Sequence, residues 1–424
     1  MEEQFLHFIW QYQYFDGGQL LTIDKQNVTV FKPGTRNSDA GPDFEEAKIK
    51  IGDIEWSGHV EIHVKSSDWD AHKHSEDRKY DSTILHVVWE NDRQIMRSDG
   101  TKIPTIALKG LIEPALYDRF KNLVRSPWTI PCQPELNKVN NLTRLSQLDK
   151  SLAERLIEKS QAVSKVVEET KGNWEEATYK LMARNFGFKV NGDQFEQLAN
   201  VTPINIAQKC ADNLESLEAL FFGQSGLIPQ KTKESYSQKL ADEYNFISHK
   251  HGLIAIKSPH QWKFMRMRPA NFPTVRIAQF AGLIHQVRHL FSWILETENV
   301  AALHKVLKVR QSAYWQQHYR FGVKAARAVP ALGQQSIQNV IINTVVPVLA
   351  AYSKAIGDDR YIIRAEKLLQ ELPAEKNRIT KVFSGTNWNA SNAFDSQALI
   401  QLHNNYCTKK RCLSCNIGVS LMRS

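Results

Sequence analysis

No run of apolar residues in this chain reaches the ~18 needed to span a bilayer, so no membrane-crossing helix is expected. The N-terminus, MEEQFLHFIW, is acidic and lacks the basic segment of a secretory signal. Glycine and proline number only 20 and 15 in 424 residues, which excludes collagen-like and low-complexity chains. Cysteine is scarcer still, with five residues, three of them crowded near the C-terminus. An odd number so placed makes no disulfide framework, and a reducing cytoplasm is the expected compartment. Apolar residues, at 42%, are too many for a disordered chain. The length exceeds one typical core, so two or three domains are expected.

Charge is unevenly spread. Residues 1–150 hold 19 basic against 23 acidic side chains, a net of −4, which leaves +13 on the remainder. An acidic front and a basic back suit a site that holds cations beside a surface that attracts polyanions such as nucleic acid.

The texture changes along the chain. Residues 3–13 have helical apolar spacing, then 19–31, 44–51, 58–65, 82–90 and 103–108 read as strands, with GDIEW as a turn. Past about 112 the pattern is helical: 144–172, 173–187, 235–247, 274–297, 300–318 and 335–353. The proline-bearing SPWTIPCQP marks a boundary. The expected fold class is α+β: an α/β domain with a mixed sheet over 1–125, a helical domain over 126–400, and a Cys-rich tail over 401–424.

The strand GHVEIHVK carries the chemistry. Side chains alternate across a strand, so Val60, Ile62 and Val64 face a core while His59, Glu61, His63 and Lys65 share the opposite face. A turn upstream, SDAGPDF, delivers Asp43. Downstream, SSDWDAHKHSED supplies Asp68, Asp70, His72 and His74, and His86 follows on the next strand. Five of the 14 histidines fall between 59 and 86. Histidine, aspartate and glutamate are the ligand set of a divalent ion.

The order Pro42-Asp43, hairpin, Glu61-x-His63-x-Lys65 resembles the PD-(D/E)xK nuclease superfamily. The resemblance, over about residues 1–110, implies a helix–strand–strand–strand–helix–strand core. It also implies acidic groups that hold Mg²⁺ or Mn²⁺ and a lysine, Lys65, that orients or activates water. The acidic position two before the lysine is His63 here, with Glu61 one step back on the same face; an imidazole favours Mn²⁺, Fe²⁺ or Zn²⁺ over Mg²⁺. The segments GPDFEEAKIKI, WSGHVEIHVKSSDWDAHKH, LEALFFGQSGL, WKFMRMRPANFPTVRIAQFA and YCTKKRCLSCNIG together resemble a bacterial family without assigned function, domain-of-unknown-function family 2851.

In the helical part, WKFMRMRPANFPTVRIAQFAG sets Arg266, Arg268 and Arg276 around the start of a helix, an arrangement that suits a phosphate or a set of internal acidic partners. Near the C-terminus, Cys407, Cys412 and Cys415 have the spacing C-x4-C-x2-C, in which Cys-x2-Cys is a metal bite; Lys409, Lys410 and Arg411 favour the thiolates. The fourth ligand is His403, Cys132 or Cys210, and the metal Zn²⁺ or a [4Fe–4S] cluster.

Three functions follow. The first is a metal-dependent nuclease that uses Asp43, Glu61, His63 and Lys65, with Arg266, Arg268 and Arg276 on the substrate; the metal ligands are Asp43, Glu61 and His63. The second is a Zn²⁺-dependent hydrolase of a small substrate built on His63, His72, His74 and His86, which requires His72 and His74 to converge on His63. The third is a non-catalytic nucleic-acid-binding scaffold with a solvent-open strand face and a structural zinc tail.

Overall fold

The computed structural model describes residues 1–37, 39–231 and 233–423; Ser38, which opens the SDAGPDF turn, lies outside them. The fold is mixed α+β, with an N-terminal mixed sheet and a helical remainder. The chain divides into two compact units: Met1–Gln147 with Leu402–Ser424, and Leu148–Gln401.

In the first unit, helix α1 (Glu3–Tyr12) precedes strands β1 (Val28–Lys32), β2 (Thr35–Arg36), β3 (Phe44–Ile51), β4 (Ile54–Lys65), β5 (Thr83–Glu90) and β6 (Thr105–Ala107). Their order is β1-β3-β4-β5-β6, with β2 on β3. Strands β3 and β4 are antiparallel, and β4–β5 and β5–β6 are parallel. The turn between β3 and β4 is shorter than GDIEW suggests. Ile51 pairs with Ile54, so only Gly52, at φ +58°, and Asp53 turn the chain, and Glu55 and Trp56 lengthen β4.

One sheet face is apolar. Val60, Ile62, Leu85, Val87 and Ile106 pack with Phe5, Phe8 and Ile9 of α1 and with Leu116, Phe120 and Leu123 of helix α2 (Pro114–Arg125). Burying each such side chain contributes roughly 1.5–3 kcal/mol. Strands β4 and β5 approach closely at Gly58, where a Cβ would stand 2.5 Å from Ile84 Cγ2.

The C-terminal segment returns to this unit, whereas the sequence sets it apart as a tail. Cys412, Leu413, Val419 and Met422 belong to the same core as α1 and α2. Arg119 Nη1 donates to the Met422 carbonyl at 3.0 Å, and Asn416 N donates to Gln147 Oε1 at 2.7 Å.

Among the described residues the second unit is mainly helical, with one small hairpin, His318–Arg320 with Val323–Lys324. Two expected helices end early. The segment 274–297 is two helices, Pro273–Gln286 and Leu290–Glu296. The carboxylate of Glu175 accepts from Leu290 N (2.6 Å) and Phe291 N (3.1 Å), a cap supplied from far along the chain. The helix expected over 300–318 stops at Leu307, because buried Gln311 bonds the carbonyls of Trp315, Val329 and Pro330 and fixes a loop. The helical stretch Gln334–Ile356 is long and apolar enough to cross a membrane, but 67% of its apolar window is buried within the protein.

Candidate metal centre

The site is built on the face of β4 opposite the apolar core. Glu61 and His63 point there, yet they are 5% and 1% exposed, so this face is not open to solvent. The cover is the β4–β5 connection. Ser66 and Ser67 hydroxyls donate to Asp92 at 2.8 and 2.7 Å, which ties its start to the end of β5; these donors, Ser67 foremost, pull the Asp92 carboxyl down to about 2. A single helical turn, Asp68–Ala71, then seats Trp69 against Ile95, Ile103 and Tyr80. The chain doubles back and brings His72 and His74 over β4.

The imidazoles converge. Ligand atoms of His63, His72 and His74 lie within 4.8 Å of one another. His63 Nε2 is 3.1 Å from His72 Nδ1 and 3.6 Å from Glu61 Oε1, and His74 Nε2 is 3.2 Å from Glu61 Oε1. Around an ion with bonds of about 2.0–2.1 Å, two tetrahedral ligand atoms would stand about 3.3 Å apart, against 3.1, 3.6 and 3.2 Å for these three pairs. His86 stands behind: its Nε2 is 2.8 Å from His63 Nδ1, which leaves His63 Nε2 facing His72 and Glu61. Tyr80 stacks on His74 at 3.8 Å, and Trp69 meets His74 and His86 edge-on.

Burial acts in opposite senses here: it holds the imidazoles neutral and Glu61 toward its protonated form. Burial, reinforced by the neighbouring His74 and His72, pushes His63 down to about 4, so it is neutral near pH 7. Burial drives His86 well below the ordinary histidine range. Glu61 is raised, chiefly by burial; the bond with His74 opposes this and the nearby Asp43 charge adds to it.

Of the three ligands expected from sequence, Glu61 and His63 lie together, 3.6 Å apart between Oε1 and Nε2, whereas the Asp43 carboxylate faces Ile62 N and His7 and is not in the His63, His72 and His74 group. Asp43 N donates to Glu61 Oε2 at 3.0 Å, and Asp43 Oδ2 accepts from Ile62 N at 3.0 Å. Lys65 ends the same strand face with an exposed side chain, and its N–H donates to Asp68 Oδ2 at 2.9 Å. The sequence reading missed His7, whose Nε2 lies 3.1 Å from Asp43 Oδ2 and whose Nδ1 lies 3.2 Å from Arg36 Nη2. Within EQFLHFIWQY, His7 looks like one more side chain of a helix packed on a core, and nothing local marks it.

The three arginines differ in burial. Arg266 and Arg268 are exposed, and Arg276 is buried. Cys407, Cys412 and Cys415 are each 7% exposed. The expectation that Lys409, Lys410 and Arg411 favour thiolates is overturned. Burial dominates, raising Cys407 and pushing Cys412 up to about 12, with Lys410 opposing only weakly. Lys410 Nζ is instead bonded to the Ser126 carbonyl at 2.6 Å. Cys132 packs against the same core, and charge on Cys415 and Cys412 adds to the burial that pushes it up to about 12. Cys210 belongs to the second unit.

No curated protein and no solved structure matches the chain. The sequence profile of a family described as a protein of unknown function (DUF2851) matches residues 3–378, which include the whole histidine site and stop before Cys407. By that match the chain belongs to the DUF2851 family.

Proposed function

We propose that the first unit hydrolyses phosphodiester bonds of DNA or RNA with a divalent ion held by His63, His72, His74 and Glu61, and that the basic remainder of the chain binds the nucleic acid backbone. The observation that carries this reading is the convergence of His72 and His74 on His63 beside a buried carboxylate. An ion bound there would polarise a phosphoryl oxygen and lower the pKa of its water. With three imidazoles in the set, Mn²⁺ is preferred to Mg²⁺. Asp43 braces Glu61 through its N–H and is itself oriented by His7. Lys65, at the exposed end of the strand face, offers an ammonium to the substrate phosphate, as the PD-(D/E)xK resemblance implies. The +13 charge of residues 151–424 supports a polyanionic substrate.

The imidazole-rich ligand set also favours a second reading, a Zn²⁺-dependent hydrolase of a small substrate. One panel separates them: metal-free protein reloaded with Mn²⁺, Mg²⁺ or Zn²⁺ and offered linear and circular DNA, RNA, and a chromogenic phosphodiester. Cleavage of nucleic acid with Mn²⁺ is expected. Lys65→Ala should lower that rate about 10²-fold or more with the bound metal unchanged. Turnover of the small ester alone would favour the second reading, and inertness toward every substrate would overturn both.

For the C-terminal cysteines we propose a thiolate metal site, Zn²⁺ or [4Fe–4S], with Cys132 as the fourth ligand beside Cys407, Cys412 and Cys415. Binding of a metal would overcome the burial that otherwise keeps these thiols protonated. Protein purified without oxygen should carry one zinc, or iron with a brown colour, and Cys132→Ser should lose it. Retention of full metal by that variant would remove Cys132 from the set.

A further inference from the structure

The second unit buries a cation that no anion answers. Arg276, in the helix Pro273–Gln286, is 6% exposed. Its guanidinium donates to Gln279 Oε1 (2.9 Å), Asn271 Oδ1 (2.7 Å) and Ser336 Oγ (3.1 Å), all neutral, and rests on the Phe188 ring at 4.7 Å. Its Nε is buried without an acceptor. Among the described residues no ion pair reaches it, and burial, with no compensating charge, pushes it down to about 10. A buried charge normally requires a counter-charge, because desolvation costs several kcal/mol.

Beside it lies a cavity of about 410 Å³. Arg268, Asn271 and Arg276 line it together with Gly333, Gln334 and Ser336, and no acidic residue does. The 23-residue helical stretch Gln334–Ile356 begins at this wall, and its N-cap, Gly333, offers no side chain to its first N–H groups. The Arg276 guanidinium, a second arginine in the lining, a helix start and an amide are the kinds of donor that recognise a phosphate.

We infer that this cavity is a binding site for a phosphate monoester, with Arg276 and Arg268 as its charge partners and the opening turn of the helix Gln334–Ile356 as its backbone donor. The volume is that of a small-ligand pocket and suits a mononucleotide or the phosphorylated end of a strand. The site belongs to the second unit alone, so it stands whether or not the first unit hydrolyses anything.

The test uses the full-length chain treated with a chelator, so that metal at the histidine site plays no part. Thermal unfolding and calorimetry are run with inorganic phosphate, a 5′-mononucleotide, and a 5′-phosphorylated trinucleotide beside its unphosphorylated twin, all against chloride at equal ionic strength. Phosphate at ~10 mM should raise Tm by ~2 °C or more. Ser336→Asp sets a carboxylate against Arg276 and should weaken phosphate binding at least 10-fold. Arg268→Ala, at an exposed position, should weaken it by about 3- to 10-fold. A preference for the phosphorylated trinucleotide over the mononucleotide would identify a strand end as the ligand, and the reverse a free phosphate ester. A phosphate response no greater than that to chloride, or a Ser336→Asp protein that responds like the wild type, would overturn the inference.

Discussion

His72→Ala is expected to cost more than about 100-fold in affinity for Mn²⁺ or Zn²⁺ and to bring hydrolysis to background. Loss of an outer partner of a ligand typically costs 10–100-fold, and loss of a ligand itself should exceed that. His72 is the cleanest position because it is exposed. Its removal should leave unfolding free energy within ~0.5 kcal/mol of the wild type. His63→Ala should abolish ion binding equally, but it empties a buried position and should also destabilise by roughly 1–3 kcal/mol. Competition with a chelating dye measures the affinities, and urea unfolding separates the two costs. Wild-type affinity in His72→Ala would remove this residue from the site.

The second large effect is a loss of stability in acid. Burial holds the folded-state pKa of His63 near 4, against 6.5 when unfolded. Between these values the unfolded chain takes up a proton that the folded one refuses. Stability is therefore full above pH 6.5 and falls as the pH drops toward 4. The shift corresponds to about 3 kcal/mol. His86, depressed in the same direction, adds to the fall. Glu61, raised by burial, works against it, since a proton is held more tightly in the folded state. Urea unfolding of metal-free protein at pH 7.5 and pH 4.5 should show the drop, and His63→Gln should remove most of it. An equal drop in His63→Gln would assign the acid sensitivity to other groups.

What could be read from sequence was what depends on local period. Strand β3 and the alternation of Val60 and Ile62 against Glu61 and His63 followed from a period of two, and α1 from its apolar spacing. The nearness of Asp43 to Glu61, made through the Asp43 N–H, was legible because a hairpin fixes partners within a few residues. That His72 and His74 fold back onto His63 was one of several readings, because a 17-residue connection of polar residues has no period to orient it. Contacts set by distant partners were hidden. The pairing of His7 with Asp43 spans 36 residues, and the Glu175 cap on Leu290 spans 115. Arg266, Arg268 and Arg276 look alike in sequence, and only packing against Phe188 and Asn271 makes Arg276 the buried one.

The most direct test is a crystal soaked in ZnCl₂ and measured on both sides of the zinc absorption edge. An anomalous peak about 2.0–2.2 Å from His63 Nε2 and His72 Nδ1, with His74 and Glu61 completing its shell, is the predicted result. Strong zinc signal elsewhere in the crystal, with His63 and His72 still bonded to each other and no peak between them, would contradict it.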